Sequence, residues 1–404
     1  MNFKILKASF NLFLFLVPWC TGGTFPLQGS EWTIADIDST GAGRYSSLHF
    51  DKQGNAHVSY IVDDLEHLLK YAFWDHVQDK WFTMAIDGGA SFCSLTLDSH
   101  QRPHISYADY GTAPGSHLKY AKWDGVEWRK ETIPVDSDVI AYNTSIALDP
   151  NDRPSISFYE YRGAKGSDFR IRLRVVSWNG QYWEVRTVDG TAGSGKFNSM
   201  AADPHGRLLL AYANVDSLTA GARFAIWDGR IWKTEVVDDM ASNQLHTVGY
   251  SLAMALDKTG TPHLSYLDIN VPLVKYATLA NGHWVTEVVG FPGKPLSDRN
   301  SITVDEDGRP YITYYDGRYG QLNLAQKHGT RWGIEIVDGG FAGATSSLQI
   351  DHGVIWITYA DESNRQLKVA RRTLETHLSA SREGKAAATT QTQAVEPEQL
   401  RRAR

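Results

Sequence analysis

One segment of about fifty residues recurs seven times in this 404-residue chain, and self-similarity at that interval restricts the chain to a handful of repeat architectures. A tryptophan opens each copy, at Trp32, Trp81, Trp128, Trp183, Trp232, Trp284 and Trp332, and equivalent positions lie 46 to 55 residues apart. Most copies run from the tryptophan into a Val/Ile-Asp ending, as in Glu131-Thr-Ile-Pro-Val-Asp136 and Glu235-Val-Val-Asp238. A Ser-Leu-x-Leu-Asp-like run follows, closing on Asp51, Asp98, Asp149, Asp203, Asp257, Asp305 and Asp351. Nine residues later stands an aromatic: Tyr60, Tyr107, Phe158, Tyr212, Tyr266 and Tyr314, with Tyr359 of the last copy at an interval of eight.

Each copy reads as four short strands, in the second copy Ser94 to Asp98, Pro103 to Asp109, Leu118 to Trp123 and Trp128 to Pro134. Glycines at a fixed offset after the strand-ending aspartate (Gly54, Gly206, Gly260, Gly308) and pairs such as Asp124-Gly125 and Asn281-Gly282 supply the positive φ of tight turns. Four-stranded antiparallel units of this length match the blades of a propeller. The first copy begins with one strand, Trp32-Thr-Ile-Ala-Asp-Ile37, and the last, Ser347 to Arg372, holds only three. The spare strand completes the short blade, so the ring closes where an open solenoid would need caps. The expected fold is all-β: a seven-bladed β-propeller over residues 32–374, closed by its N-terminal strand.

Composition limits partners. The formal charge is −6, more negative once Lys4, Lys7 and a C-terminal stretch of net +1 are set aside, and no basic stripe interrupts it. Nucleic acid and anionic membrane surfaces are therefore disfavoured. Residues 1–24 combine Lys4 and Lys7 with an apolar run from Phe10 to Trp19 and then small residues, the pattern of a signal peptide, too short for a membrane span. Secretion or periplasmic export of a monomer is expected. Cys20 keeps a lipid anchor as the minor alternative, with Pro18 and Trp19 against it. Cys93 is then left without a partner, and we read it as a buried small hydrophobe. Residues 375–404, poor in large apolar side chains, are expected to be a disordered tail.

Seven copies also separate structure from function. What every blade carries serves a need that every blade shares, whereas one site needs departures from the pattern. Strand-opening tryptophans, the equivalent His57, His104 and His263, and the small residues before the strand-two aromatics (Ser59, Ser106, Ser157, Ala211, Ser265, Thr313, Thr358) recur, so they read as packing. The histidines radiate around the ring without converging, and neither a metal site nor a cofactor is expected.

Loops leaving strand two and entering strand one open on one face. Asp109, Glu160, Asp268, Asp316 and Asp361 fall two residues after the strand-two aromatic, while Asn214 and Val62-Asp63 interrupt the series. They read first as turn-capping carboxylates and otherwise as an acidic rim. Departures cluster in the loops entering strand one: Arg44-Tyr45, Phe92, Tyr142-Asn143, Lys196-Phe197-Asn198, His246 with Tyr250, and Arg299-Asn300. Arg318-Tyr319 and a longer third-copy loop, 162–168, leave strand two. Rings with Arg and Asn at a shallow mouth suit saccharide or protein recognition. The sequon Asn143-Thr144-Ser145 is a glycosylation acceptor only in a host that glycosylates.

The turns Asp124-Gly-Val-Glu-Trp128, Asp228-Gly-Arg-Ile-Trp232 and Asn281-Gly-His-Trp284, in phase with Pro-His-Ile-Ser-Tyr and Leu-Lys-Tyr-Ala strings, resemble degenerate Asp-box (BNR-type) repeats of sialidase-like propellers from exported bacterial proteins. That resemblance covers Trp32 to Arg372 and implies one of three roles: sialidase, polysaccharide lyase or non-catalytic binder. The sialidase version uses an arginine cluster, for which Arg44, Arg299 and Arg318 are the candidates, and a tyrosine nucleophile, for which Tyr315 beside Asp316 is the candidate. No spacing rule supports that set, so a non-catalytic recognition scaffold for a glycan or an extracellular protein is the leading expectation, with a glycoside hydrolase or lyase as the alternative.

Overall fold

A computed structural model describes residues 25–26 and 31–374, apart from 63–65, 110–116, 137–138, 163–169, 216–219, 240–247 and 294–298. The leader, the C-terminal tail, Asp63, His246 and residues 163–168 of the third-copy loop lie outside the described residues. Six copies fold into sheets of four consecutive antiparallel strands, the first running Gly43–Phe50, Ala56–Val62, Leu68–Asp75 and Lys80–Asp87. The seventh blade is Ala342–Asp351, Val354–Asp361 and Gln366–Thr373, with Thr33–Asp38 as its outer strand. Thr33 faces Arg371 and Ala35 faces Val369 in that closing pair, so the ring joins its own start. Phe25–Pro26 adds a short parallel pairing to the outer strand of blade 6, which the repeat pattern did not announce.

The first strand of each blade lies innermost, against the first strands of its neighbours. An innermost strand has no ladder partner toward the axis, and its inward N–H groups need acceptors. The recurring serine supplies them. Ser47 Oγ accepts from Leu95 N at 3.0 Å, Ser145 Oγ from Met200 N at 3.0 Å, and Ser347 Oγ from Leu48 N at 3.0 Å across the closure. The strand-two hydroxyls pair with the next inner strand as well: Ser106 with Thr144 at 3.2 Å, Thr313 with Ser346 at 2.9 Å, Thr358 with Ser46 at 3.0 Å.

A second recurring device explains the Val/Ile-Asp endings. Asp38, Asp87, Asp189, Asp238 and Asp338, at the ends of outer strands, accept from the strand-two tyrosine of the following blade. The distances are 2.6 Å to Tyr60, 2.7 Å to Tyr107, 2.8 Å to Tyr212, 2.7 Å to Tyr266 and 2.6 Å to Tyr359. A strand-three lysine completes the latch at Asp38 (Lys70), Asp87 (Lys119) and Asp238 (Lys275). Two junctions differ: Phe158 stands for the tyrosine in blade 3, and Gly290 and Asn323 replace the aspartate and lysine between blades 5 and 6. The histidines form a third device, His57 Nδ1 against Tyr71 Oη at 2.7 Å and Nε2 toward Asp51 at 3.3 Å, repeated at His104 and His263.

Strand-opening tryptophans pack edge-on against an aromatic of the preceding blade: Trp128 on Tyr71, Trp183 on Tyr120, Trp284 on Phe224 and Trp332 on Tyr276. Where a glutamate is in reach the indole N–H uses it, Trp284 to Glu235 and Trp332 to Glu287, both at 3.1 Å. Inter-blade contact is close at Gly343, with φ 95° and a hypothetical Cβ only 2.6 Å from Leu322 Cβ. Gly343→Ala is expected to destabilise the protein by about 1–3 kcal/mol through strain and overpacking, read from the urea midpoint; an unchanged midpoint would show that the blades part without cost there.

Candidate functional site

The mouth is built by a bulge. In six blades the first strand slips register near its start, between Arg44 and Ser47, Ser91 and Ser94, Tyr142 and Ser145, Lys196 and Ser199, Tyr250 and Ala253, and Ala342 and Ser346. The bulged residue takes a left-handed conformation in five of them: Tyr45 (φ 54°), Phe92 (49°), Asn143 (49°), Phe197 (50°) and Ser251 (53°). Such a φ in a bulky residue is strained. Its recurrence makes it an architectural feature that turns one side chain per blade toward the axis and the preceding one toward the mouth. Counting back from the inner-strand aliphatics, Arg299 and Thr345 hold the equivalent place in blades 6 and 7.

Around this ring two sectors differ. In the first, blades 3 to 5 bring together Tyr142, Tyr159, Tyr161, Lys196, Phe197 and Tyr250. Tyr142 and Tyr159 have ring centroids 6.4 Å apart, and Phe197 and Tyr250 4.4 Å apart. Lys196 Nζ lies 5.1 Å from the Phe197 centroid and 4.9 Å from that of Tyr250, and donates to Tyr250 Oη at 3.1 Å. No carboxylate among the described residues pairs with it. Tyr142, Tyr161, Lys196 and Tyr250 remain partly exposed, while Tyr159 is buried beneath them. Burial, with the neighbouring phenols of Tyr161, Tyr142 and Tyr250, pushes Tyr159 up to about 12.

In the second sector the side chains are held by internal contacts. Arg44 makes a two-pronged pair with Glu362, both contacts at 2.9 Å. Tyr315 is buried, and burial with Asp316 and Glu362 nearby raises its phenol, the opposite of what an activated nucleophile needs. Asp316 caps Arg318 N at 2.9 Å, and the Arg318 guanidinium lies over the Tyr319 ring. Arg299 sits lower, in the bore, donating to Cys93 O and Tyr45 O. Arg44, Arg299 and Arg318 are thus held by three different sets of partners. Asn300 is 1% exposed, behind the mouth surface.

The other carboxylates proposed for the rim also have internal partners. Glu160, 1% exposed, takes Arg172 at 2.9 Å and Arg174 at 2.6 Å; Asp109 pairs with Lys119 at 2.9 Å, and Asp361 with Lys368 at 2.6 Å. Asp268 caps Asn270 N and Val271 N. Tyr159 and Tyr161 escaped the sequence reading. Their signal was present: the residue after the strand-two aromatic is Ile61, Ala108, Ala213, Leu267 or Ala360 in five blades and tyrosine only at Tyr159 and Tyr315. The sequon lies inside the ring with Thr144 2% exposed, which denies it to a glycosylating enzyme. Cys93 is fully buried with its thiol pushed up to about 11 by that burial, as befits a core residue.

The Asp-box-like turns lie on the opposite face, where Asp124 and Asp228 each accept two backbone N–H groups and cap their hairpins. Also on that face, Asp98, His100 and Asp152 bring three potential ligand atoms within 4.8 Å of one another. Asp98 is already committed to Arg102 and Asp152 to Ser99.

No family model matches the sequence, and no curated protein matches it. Solved structures do. A polysaccharide lyase of family PL25, an ulvan lyase, superposes with TM-score 0.57 at 15% identity over 84% of this chain and 97% of its own. A protein from Dyadobacter fermentans DSM 18053 gives 0.52 at 12% identity, covering 86% and 99%. The fold is what they share. A Trypanosoma rangeli sialidase is more distant, TM-score 0.48 at 10% identity over 91% of this chain and 62% of its own.

Proposed function

We propose that the chain is an exported carbohydrate-binding propeller and that the tyrosine-rich sector of its axial mouth is the binding surface. The observation that carries this is Lys196, a cation resting on the Phe197 and Tyr250 rings without a carboxylate partner among the described residues, with Tyr142, Tyr161 and Tyr250 grouped about the buried Tyr159. Phenol rings stack on the apolar faces of pyranoses, their hydroxyls bond sugar hydroxyls, and the lysine favours a sugar bearing carboxylate or sulfate. The lyase neighbour solved with -[GlcA(1-4)Rha3S]- bound supports a saccharide ligand for a propeller of this shape. On a glycan array the protein is expected to retain acidic oligosaccharides, and Tyr250→Ala to weaken the best of them at least ten-fold, about 1.4 kcal/mol. An empty array, or a variant that binds equally well, would reject the site.

One contact favours a second reading, a polysaccharide lyase. Lys196 Nζ, 3.1 Å from Tyr250 Oη, can stabilise a phenolate that removes the proton α to a uronate carboxylate; the C4–O bond then breaks with its electron pair on the departing glycosyl oxygen, the phenol returns the proton to that oxygen, and a 4,5-unsaturated uronate remains. Growth of ultraviolet absorbance in a panel of uronate polysaccharides would select this reading; its absence alongside array binding selects the non-catalytic one. Export itself is tested by fractionating the source cells and sequencing the mature N-terminus.

A further inference from the structure

Arg299 has surroundings that carbohydrate recognition does not require. It stands in blade 6 where the other blades place Tyr45, Phe92, Asn143, Phe197, Ser251 and Thr345, at the bulge that faces the axis. Its side chain crosses the bore. Nη1 donates to Cys93 O of blade 2 at 3.2 Å and to Tyr45 O of blade 1 at 3.5 Å, while its backbone bridges Thr345 of blade 7. One residue therefore touches or joins four blades, including both sides of the ring closure.

The charge on that side chain has no counter-ion among the described residues. A guanidinium cannot shed its proton to escape burial, and two carbonyl dipoles replace only part of its hydration. An anion within contact distance would resolve the imbalance.

Room and further donors lie beside it. Arg299 borders a cavity of about 20 Å³ together with Asn143, Tyr45, Phe92 and Phe197. That is space for one water-sized particle and not for a sugar ring. The Asn143 side-chain amide has no hydrogen-bond partner among the described residues, whereas the neighbouring Asn198 amide is used up on Asn143 O and Gly195 O. A guanidinium and an amide N–H are partners for a small anion, and the guanidinium charge disfavours a cation there.

We propose that the axial bore holds one monovalent anion of chloride size between Arg299 of blade 6 and Asn143 of blade 3, serving as the counter-ion of the arginine that joins blades 1, 2, 6 and 7. The site is separate from the tyrosine sector, so it stands whether or not a glycan binds there. Thermal unfolding of the full chain is followed in sodium chloride against sodium gluconate at equal ionic strength. Chloride is expected to raise Tm saturably, by about 2 °C at ten times its Kd, and bromide soaked into crystals to give an anomalous peak beside Arg299. Asn143→Asp, which supplies a built-in carboxylate at a residue type that tolerates the left-handed conformation, is expected to abolish the chloride dependence while still folding. Arg299→Gln is expected to abolish it too. Equal Tm in the two salts for the unmodified protein, a chloride dependence that survives in Asn143→Asp, or a bore without bromide density would each overturn the proposal.

Discussion

Asp38→Ala is expected to cost about 3–5 kcal/mol of folding stability, a large share of what holds a protein of this kind together. The carboxyl sits on the closing strand and accepts from Tyr60 Oη at 2.6 Å, from Lys70 Nζ, and from the N–H and hydroxyl of Thr40 at 3.0 and 2.8 Å. Its removal leaves the fully buried Tyr60 phenol without its acceptor and the buried Lys70 ammonium with Thr40 Oγ1 alone, on the strand whose pairing with Gln366–Thr373 closes the ring. Burial pushes this carboxyl up, yet the bonds from Lys70, Tyr60 and Thr40 together outweigh it and hold it below the ordinary range. A folded-state pKa below the unfolded one means the contribution is complete above about pH 4 and drains only below it. Urea unfolding followed by tryptophan fluorescence at neutral pH measures the loss. Asp75→Ala, in an exposed hairpin where the carboxylate caps Val77 N and Gln78 N, is the comparison, expected to shift the urea midpoint far less. Equal losses at the two positions would mean that the closing latch bears no special load.

The ring was legible because repetition turns one sequence into an alignment of itself. Seven tryptophans in phase and an orphan strand opposite a three-stranded remainder leave few ways to close, and Thr33–Asp38 pairs with Gln366–Thr373 as that count requires. Pairings between blades were less legible. The strand-ending aspartates and the strand-two tyrosines were both visible, but their bond crosses a blade boundary and follows no sequence spacing. The recurring serine likewise reads as a small residue until its hydroxyl is seen meeting the next strand's N–H. Site residues were the hardest. Charged side chains on the mouth loops drew attention by type, and most are satisfied internally: Glu160 by two arginines, Asp361 by Lys368, Arg44 by Glu362. Charge alone cannot tell a paired residue from a free one, since pairing depends on neighbours dozens of residues away. Lys196 stood in the same set of loop residues as Arg44, and only geometry separates them.

Acid is expected to weaken the fold well above the carboxylate range, because His104 is fully buried as a neutral ring. Burial chiefly, with Lys122 assisting, takes its pKa down to about 4, against the pull of Asp98. Asp98 pulls weakly for a structural reason: its carboxylate already takes Arg102 at 2.7 Å and the N–H groups of His100 and Arg102, so little of its field is left for the imidazole 3.5 Å away. With the folded pKa below the unfolded value near 6.5, the unfolded chain binds the proton first as pH falls. Stability is therefore complete above about pH 6.5, drains between there and about pH 4, and loses about 3 kcal/mol through this one residue. His57 and His263 are shifted in the same direction by burial and add to the slope. Urea midpoints at about pH 7.5 and about pH 4.5 should separate widely in the unmodified protein. His104→Gln, which keeps a partner for the Tyr120 hydroxyl but cannot take the proton, should narrow the gap while lowering the neutral-pH midpoint. A gap that His104→Gln leaves unchanged would place the acid sensitivity elsewhere and show that His104 accepts its proton in the folded state.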